Sequence, residues 1–183
     1  QPADRVRLSH AMLSLEKLAD ATLTDIAHIQ QLAAGHFNAK DVFYIGRGID
    51  YASSQEASLK LKEISYIHSE GIAAGELKHG TISLIEDGSL VVGLLTQPAL
   101  REKVISNLAE VKTRGAKVIA VTSQKDAKLA AVADEIIIIP ATDPLLMPIL
   151  SVIPLQLFAY YVAVYNGCDV DKPRNLAKSV TVE

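Results

Sequence analysis

One predicted helix places two carboxylates and one amine within two turns. Glu56, Lys60 and Glu63 are separated by four and three positions, so they share one flank of the helix at 100° per residue. Leu59 and Ile67 lie beside this flank. A carboxylate next to a lysine and to apolar neighbours is suited to act as a shielded general base. An ordinary salt-bridge ladder has the same spacing, and the spacing alone favours the ladder.

Two other segments carry residues suited to proton transfer or carbonyl chemistry. The segment Gly75–Gly80 contains three ionisable residues between glycines, among them His79, and histidine is a common proton-transfer residue in catalysis. A helix C-terminus that ends with a histidine and a glycine has the same composition. A proton-transfer segment and an ordinary helix end therefore both remain open interpretations. Lys178 lies in the polar C-terminal segment. Such a lysine is normally solvated, and it attacks a carbonyl only where a pocket desolvates its amine.

The glycine-containing turns do not match a known phosphate-binding pattern. Gly46-Arg47-Gly48 lies between a predicted strand and a predicted helix, which is the place for a phosphate-binding loop. The GxGxxG pattern fails at Tyr51, so we interpret the glycines as a tight strand-to-helix turn. The loop Thr96–Ala99 has no glycine, and Pro98 has no N–H to donate, so it is a poor anion site.

The composition favours a single globular domain that binds neither nucleic acid nor a metal. The chain has 183 residues, 49% of them apolar, and a net charge of -3. Its 18 Lys+Arg form no basic stripe of the kind that nucleic-acid binding requires. One cysteine, Cys168, excludes a disulfide scaffold and predicts a reducing compartment, so we expect a cytoplasmic protein. The five histidines and this cysteine show no metal-ligand spacing.

Two segments bear on whether the chain is targeted to, or inserted into, a membrane: its N-terminus and an uncharged segment near its C-terminus. The polar, charged start is wrong for a signal peptide, and without an initiator Met it predicts a piece of something longer. Pro144–Cys168 contains no charged residue, as a transmembrane segment would. Its uninterrupted part, Leu155–Asn166, would span only about 18 Å as a helix, against the ~30 Å of a hydrocarbon core. We therefore expect a buried helix or an oligomer interface.

Helices and strands alternate along the chain and must position these candidates. An apolar stripe from Leu8 to Ala33 predicts a long N-terminal helix over residues 1–35. The Glu56–Glu63 flank lies on a helix predicted over 52–70, with Ser58, Lys62 and Ser65 on its polar face. Later helices are predicted over 98–114 and 126–133 and within 147–166. Apolar runs predict strands over 42–45, 90–95, 117–122 and 135–140.

This alternation predicts an α/β fold, a three-layer sandwich around a mostly parallel, doubly wound sheet. The strands are continuously apolar, which is typical of a parallel sheet covered on both faces. Ligands in such folds bind outside the carboxyl ends of the strands. The site is therefore expected in the loops after Ile45, Leu95, Thr122 and Ile139.

Three motifs are the most specific features of the chain. They are Leu59–His68, Gly75–Gly80 and the closing Asp171–Glu183. Their residues, order and separations resemble the glucosamine-6-phosphate synthases, also called glutamine–fructose-6-phosphate aminotransferases (isomerising). The resemblance covers nearly the whole chain from Asp41 onward. It implies the second sugar-isomerase (SIS) subdomain of the isomerase domain over 1–166, and a tail over 167–183 that contributes to the active site.

The resemblance implies roles for individual residues. Glu63 matches the base that moves a proton between C1 and C2 of the sugar, and Lys60 matches the lysine beside it. His79 matches the histidine implicated in ring opening, which is lent to the neighbouring subunit of a homodimer. Lys178 matches the lysine that forms a Schiff base with open-chain fructose 6-phosphate, and Ala177 lies next to it. Lys60, Glu63 and Ala177 are the expected substrate contacts, with no metal or cofactor.

The implied parent reaction converts fructose 6-phosphate and glutamine to glucosamine 6-phosphate and glutamate. The family's glutaminase domain uses an N-terminal cysteine, and its first SIS subdomain carries a Ser/Thr/Gly-rich phosphate loop. Neither has a counterpart here, so the chain alone is expected to be inactive. One alternative is a non-catalytic SIS module that binds phosphosugars as a regulator. Another is a related amino-sugar-phosphate isomerase or deglycase, from which the tail motif separates the synthases.

Overall fold

The computed structural model describes residues 2–174 and is organised around a parallel β-sheet. The strands, in chain order, are β1 (Asp41–Gly46), β2 (His68–Ala73), β3 (Leu90–Leu95), β4 (Lys117–Thr122) and β5 (Glu135–Ile138). Their order across the sheet is β2-β1-β3-β4-β5, and all four strand pairs are parallel in this part of the chain. The order reverses direction at β1 and β3, as in a doubly wound fold. The predicted fold class is confirmed.

Helices cover both faces of the sheet. Within residues 2–174 they are α1 (Pro2–Leu13), α2 (Leu15–Thr22), α3 (Ile26–His36), α4 (Ile49–Ser65), α5 (Arg101–Lys112), α6 (Ala127–Ala130) and α7 (Met147–Tyr165). α3, α4 and α7 pack on one face, and α5 and α6 pack on the other. Short 3₁₀ segments include Leu23–Asp25 and Ala74–His79.

The sheet has a hydrophobic core on each of its two faces, and this explains why the strands are continuous apolar runs in the sequence. Successive side chains of a strand point to opposite faces. Val42 and Tyr44 of β1 therefore enter the core beneath α3, α4 and α7, whereas Phe43 and Ile45 enter the core beneath α5. Both sets are buried, so no polar alternation is present to signal a solvent face.

The N-terminal segment is not one continuous helix. α1 ends at Leu13, and a 3₁₀ turn separates α2 from α3. Hydroxyl groups near these breaks donate to backbone carbonyls of the preceding turn and so compete with the helix ladder, namely those of Ser14, Thr22 and Thr24. The predicted stripe is buried mainly in its second half, at Ile29 and Ala33, whereas Met12 is 59% exposed.

The prediction of one helix over 52–70 is wrong at its end. α4 ends at Ser65 because Tyr66 adopts a left-handed conformation with φ 63°, and its N–H bonds to the Lys62 carbonyl at 3.2 Å. The chain then forms the edge strand β2, which pairs with β1 from Asp41–His68 onward. This strand contains Gly71 and polar residues and has no apolar run, so the sequence pattern does not reveal it.

The predicted polar face of α4 is wrong at two of its three positions. Ser58 and Ser65 are buried, and the Oγ atoms of Ser58 and Ser69 lie 3.0 Å apart between α4 and β2. The helix and strand approach so closely that a Cβ at Gly71 would lie 2.6 Å from the Cα of Gln55. Small residues at this contact hold α4 tightly on the edge of the sheet.

Gly46, at the end of β1, is required by the backbone around it. A Cβ there would lie 2.5 Å from the carbonyl oxygen of Asp50, so the backbone would have to move. We expect Gly46→Ala to lower the free energy of unfolding by about 1–3 kcal/mol. Gly35→Ala is the matched control, because that position in α3 has no atom within 4 Å of a new Cβ. It should raise stability by about 0.5–1 kcal/mol. Urea denaturation measures both, and effects of the same sign would contradict the interpretation.

α7 meets the length and composition test for a membrane span. It is the one helix among the described residues to do so, and half of its apolar window is buried within the fold. Leu150, Leu155, Phe158 and Val162 belong to the core beneath α3, α4 and α7. A core helix passes the same test, so length and composition are weak evidence for a membrane span here. The packing agrees with the expected buried helix.

Candidate active site

The predicted flank of α4 carries a hydrogen-bonded ion pair. Lys60 Nζ donates to Glu63 Oε2 at 2.7 Å and lies 3.8 Å from Glu56 Oε1. The Glu63 side chain is 24% exposed, against 42% for Glu56. Lys60 therefore pairs most closely with the more buried of its two carboxylates. The geometry contains the salt-bridge ladder, and it also places a part-buried carboxylate beside a cation.

The electrostatics of the pair keep the lysine charged. The hydrogen bond to Glu63 raises the pKa of Lys60 above its ordinary value, and partial burial opposes this only in part. Lys60 thus remains an ammonium group at neutral pH. A carboxylate held by such a group can accept and return a proton, or orient a substrate hydroxyl, if a substrate reaches it.

The pair lies at the amino end of the sheet, not at the carboxyl end where the site was expected. α4 starts just after the carboxyl end of β1 and runs back along the sheet. Its last turn precedes β2, whose first residue, His68, pairs with the first residue of β1, Asp41. Lys60 and Glu63 are therefore remote from the chain's own carboxyl-end loops. A ligand that used this pair would need its other contacts from elsewhere.

The described part of the C-terminal tail crosses the end of α4. The backbone N–H of Arg174 donates to the Tyr66 hydroxyl at 2.8 Å, and the guanidinium carbon of Arg174 lies 3.9 Å from the centre of the Tyr66 ring. Tyr66 is three residues beyond Glu63 on the same segment. Two further predicted site residues, Ala177 and Lys178, lie outside the described residues.

The structure does not bring His79 to the Lys60–Glu63 pair. The His79 side chain is 74% exposed and its Nε2 lies 3.9 Å from Glu76. It lines a cavity of about 330 Å³ at the carboxyl end of β2, together with Tyr51 in the first turn of α4. Tyr51 and Glu63 are twelve residues apart on α4, which separates them by about 18 Å. His79 thus faces a different part of the surface.

A buried carboxylate that the sequence analysis missed organises the carboxyl end of β3. Asp50 is buried, and it accepts hydrogen bonds from both the backbone N–H (2.8 Å) and the hydroxyl of Thr96. Burial raises the pKa of Asp50, whereas the bonds from Thr96 and Gln97 oppose the rise. The N–H and hydroxyl of Thr96 are thereby used, which leaves this loop poor in donors for an anion. An aspartate in the first turn of a helix that follows a strand is the signal that was available.

The described residues supply a base and a cation but only part of a binding site. Over residues 2–174, no group of three or more His, Cys, Asp or Glu side chains could hold a metal ion. The Lys60–Glu63 pair itself offers a carboxylate suited to proton transfer and an ammonium group suited to charge stabilisation.

Comparison with known proteins assigns the fold and identifies long relatives. The SIS domain family matches residues 37–165, which is more than half of the chain. Glutamine–fructose-6-phosphate aminotransferase (isomerizing) from Caldanaerobacter subterraneus is 59% identical over 172 residues, covering 92% of this chain and 28% of the relative. The same-named protein of Clostridium acetobutylicum is 55% identical, covering 94% and 28%. The chain thus spans less than a third of the curated relatives it matches.

A solved structure agrees with these matches. The C-terminal domain of glucosamine-fructose-6-phosphate aminotransferase from Francisella tularensis superposes with a TM-score of 0.88 at 32% identity. The match covers 94% of this chain and 49% of that one. The fold described above therefore occurs there within a chain about twice as long.

Proposed function

The chain belongs to the SIS domain family. From its similarity to the glutamine–fructose-6-phosphate aminotransferases we propose that it is the second SIS subdomain of a glutamine-dependent enzyme that forms glucosamine 6-phosphate from fructose 6-phosphate. Residues 1–166 form the SIS domain in this proposal, and 167–183 form the tail that completes the site. The observation that carries the proposal is the 2.7 Å hydrogen bond between Lys60 and Glu63 on α4. The tail contacts Tyr66, at the end of the same helix.

The residue types fit the chemistry of the proposed reaction. The Lys178 amine adds to the C2 carbonyl of open-chain fructose 6-phosphate, and water leaves as the imine forms. Ammonia derived from glutamine then displaces the lysine amine, so nitrogen is transferred without any change of oxidation state. Glu63 removes a proton from C1 and returns one to C2, which yields the 2-amino aldose. Lys60 holds Glu63 in position and offsets its charge.

The tail geometry supports a meeting of Lys178 with this pair. Arg174 is held at Tyr66, and Lys178 lies four positions beyond Arg174 in the chain. A segment of that length reaches at most about 14 Å. Tyr66 lies next to the last turn of α4, three residues beyond Glu63, so the tail is held close to the turn that carries Glu63. Ala177 then lies beside the substrate as the residue that precedes the lysine.

The remaining parts of the proposed site come from outside this chain. The phosphate grip is assigned to a first SIS subdomain, and ammonia release to a glutaminase domain. His79 is 74% exposed and remote from Glu63, which agrees with a role in the site of a neighbouring subunit of a homodimer. Large apolar side chains left on the surface would be covered by such partners, including Met12, Leu13, Ile149, Tyr160 and Val164. The enzyme would act in the cytoplasm.

Borohydride trapping in the longer protein that contains this chain tests the proposal. Reduction of the imine in the presence of fructose 6-phosphate should add the sugar phosphate covalently to Lys178, as located by peptide mass spectrometry. The Lys178→Arg variant, which keeps the charge but forms no imine, should give no adduct. An adduct confined to another lysine, or none at all, would refute the role of Lys178. The isolated 183-residue chain should form no glucosamine 6-phosphate from glutamine.

A further inference from the structure

A pocket on the α5 face of the sheet is separate from the Lys60–Glu63 pair. It lies at the carboxyl end of the sheet, between the turn after β1, the 3₁₀ segment after β2, and α5. We refer to it as the Arg47 pocket, and it is lined by Arg47, Lys78, Lys103, Ser106, Asn107 and Glu110. Its volume is about 290 Å³, near the lower end of the roughly 300–1,000 Å³ of small-molecule sites.

The Arg47 pocket holds an excess of positive charge. Its lining has three cations and one carboxylate. Arg47 is positioned by a neutral partner, because its Nε and Nη2 donate to Oδ1 of the buried Asn107 at 3.1 and 3.0 Å. In the part of the chain that the structure describes, neither Arg47 nor Lys103 forms an ion pair. An arginine oriented by an amide rather than by a carboxylate keeps its full charge for a ligand.

Gly75 keeps the remaining part of the guanidinium accessible. A Cβ at this position would lie 3.1 Å from Nη1 of Arg47, the nitrogen that Asn107 does not engage. A side chain there would therefore press on the group that faces the pocket. The glycine leaves room for a ligand atom at that nitrogen.

Glu110 contributes a carboxylate acceptor to the pocket. Its side chain is 27% exposed, and its Oε1 pairs at 3.0 Å with Nζ of Lys78, a side chain that is 67% exposed. An exposed ion pair of this kind is weak, so a ligand hydroxyl can donate to the same oxygen. The pocket thus offers free cations for an anion and a carboxylate acceptor for a hydroxyl group.

From these contacts we propose that the Arg47 pocket binds a phosphate monoester of a hydroxylated compound, such as a sugar phosphate. The phosphate lies against Arg47 and Lys103, and a hydroxyl of the ligand donates to Glu110. An adjoining cavity shares Lys78 and Glu110 and adds Arg114, so the positive surface continues past the end of α5. This site is additional to the proposed catalytic one, and it uses none of the same residues.

Calorimetric titration of the 183-residue chain tests the proposal, with fructose 6-phosphate as the probe. The titration is done in the Glu63→Gln variant, so that saturable binding there cannot depend on the proposed catalytic base. Arg47→Gln and Lys103→Gln should each weaken binding about tenfold, the effect of one lost charge-assisted hydrogen bond. Lys125→Gln is the matched control, because this exposed lysine lies outside the pocket. It should leave the affinity unchanged.

Each other outcome contradicts a stated part of the proposal. Absence of saturable binding, or binding insensitive to both Arg47→Gln and Lys103→Gln, would overturn it. Equal affinity for unphosphorylated fructose would remove the role of the phosphate, and equal affinity for inorganic phosphate would remove the role of Glu110. Lys103 is exposed, so its variant remains a valid test if Arg47→Gln fails to fold. Failure here would leave the trapping result at Lys178 unaffected.

Discussion

Glu63→Gln in the longer protein that contains this chain should slow exchange of the C1 proton of fructose 6-phosphate by about 10²–10⁴-fold, the usual contribution of a general base. The amide has the shape of the carboxylate, and its oxygen still accepts the hydrogen bond from Lys60. It cannot take up a proton, so only the proton transfer is lost. Solvent exchange of that proton, followed by nuclear magnetic resonance, measures the effect directly.

Glu56→Gln is the matched control for this experiment. Glu56 belongs to the same ladder, yet it lies 3.8 Å from Lys60 and is more exposed than Glu63. If the ladder were only structural, both variants would cost about 0.2–0.5 kcal/mol in stability and neither would change the exchange rate. Wild-type exchange in Glu63→Gln would thus exclude Glu63 as the base. Ammonia release from glutamine should continue in both variants.

Leu61→Ala should lower the free energy of unfolding by about 2–5 kcal/mol, the range for deleting a buried leucine side chain. Leu61 is fully buried in the core beneath α3, α4 and α7, one position after Lys60. The substitution leaves a cavity between α4 and its neighbours, and the tight contact of α4 with β2 limits collapse around it. Urea denaturation of the 183-residue chain measures the loss.

Leu59→Ala is the matched control, because it shows whether the loss of stability comes from the buried position or from any leucine-to-alanine change in this helix. Leu59 lies two positions earlier and is 43% exposed, so the same substitution should change stability by no more than about 0.5 kcal/mol. Equal losses for the two variants would show that α4 is not anchored through Leu61. In the longer protein, Leu59→Ala also reports whether another domain covers this position.

The sequence sufficed to predict most of the sheet and the ion pair because both depend on short-range patterns. Continuous apolar runs gave four of the five described strands, and the i, i+3 spacing of Lys60 and Glu63 brings their side chains together on any α-helix. The glycines around Arg47 were also interpreted correctly as a turn. None of these conclusions required knowledge of distant contacts.

The errors arise where tertiary contacts override local pattern. Edge strand β2 has no apolar run, and Ser58 is buried because α4 and β2 need small residues to approach each other. The position of Glu63 at the amino end of the sheet follows from the direction in which α4 runs, which spacing does not reveal. Asp50 was overlooked because its partner, Thr96, is 46 residues away.

The contact between Arg174 and Tyr66 also sets the effective concentration of nearby tail groups at the end of α4. A residue tethered within about 14 Å of a fixed point is confined to a sphere whose volume corresponds to about 0.1 M. A group attached four residues beyond Arg174 would meet the end of α4 at about that effective concentration without any contact of its own. Weakening the tether, for example by Tyr66→Ala, would dilute the Lys178 amine relative to Glu63 while leaving both groups chemically intact.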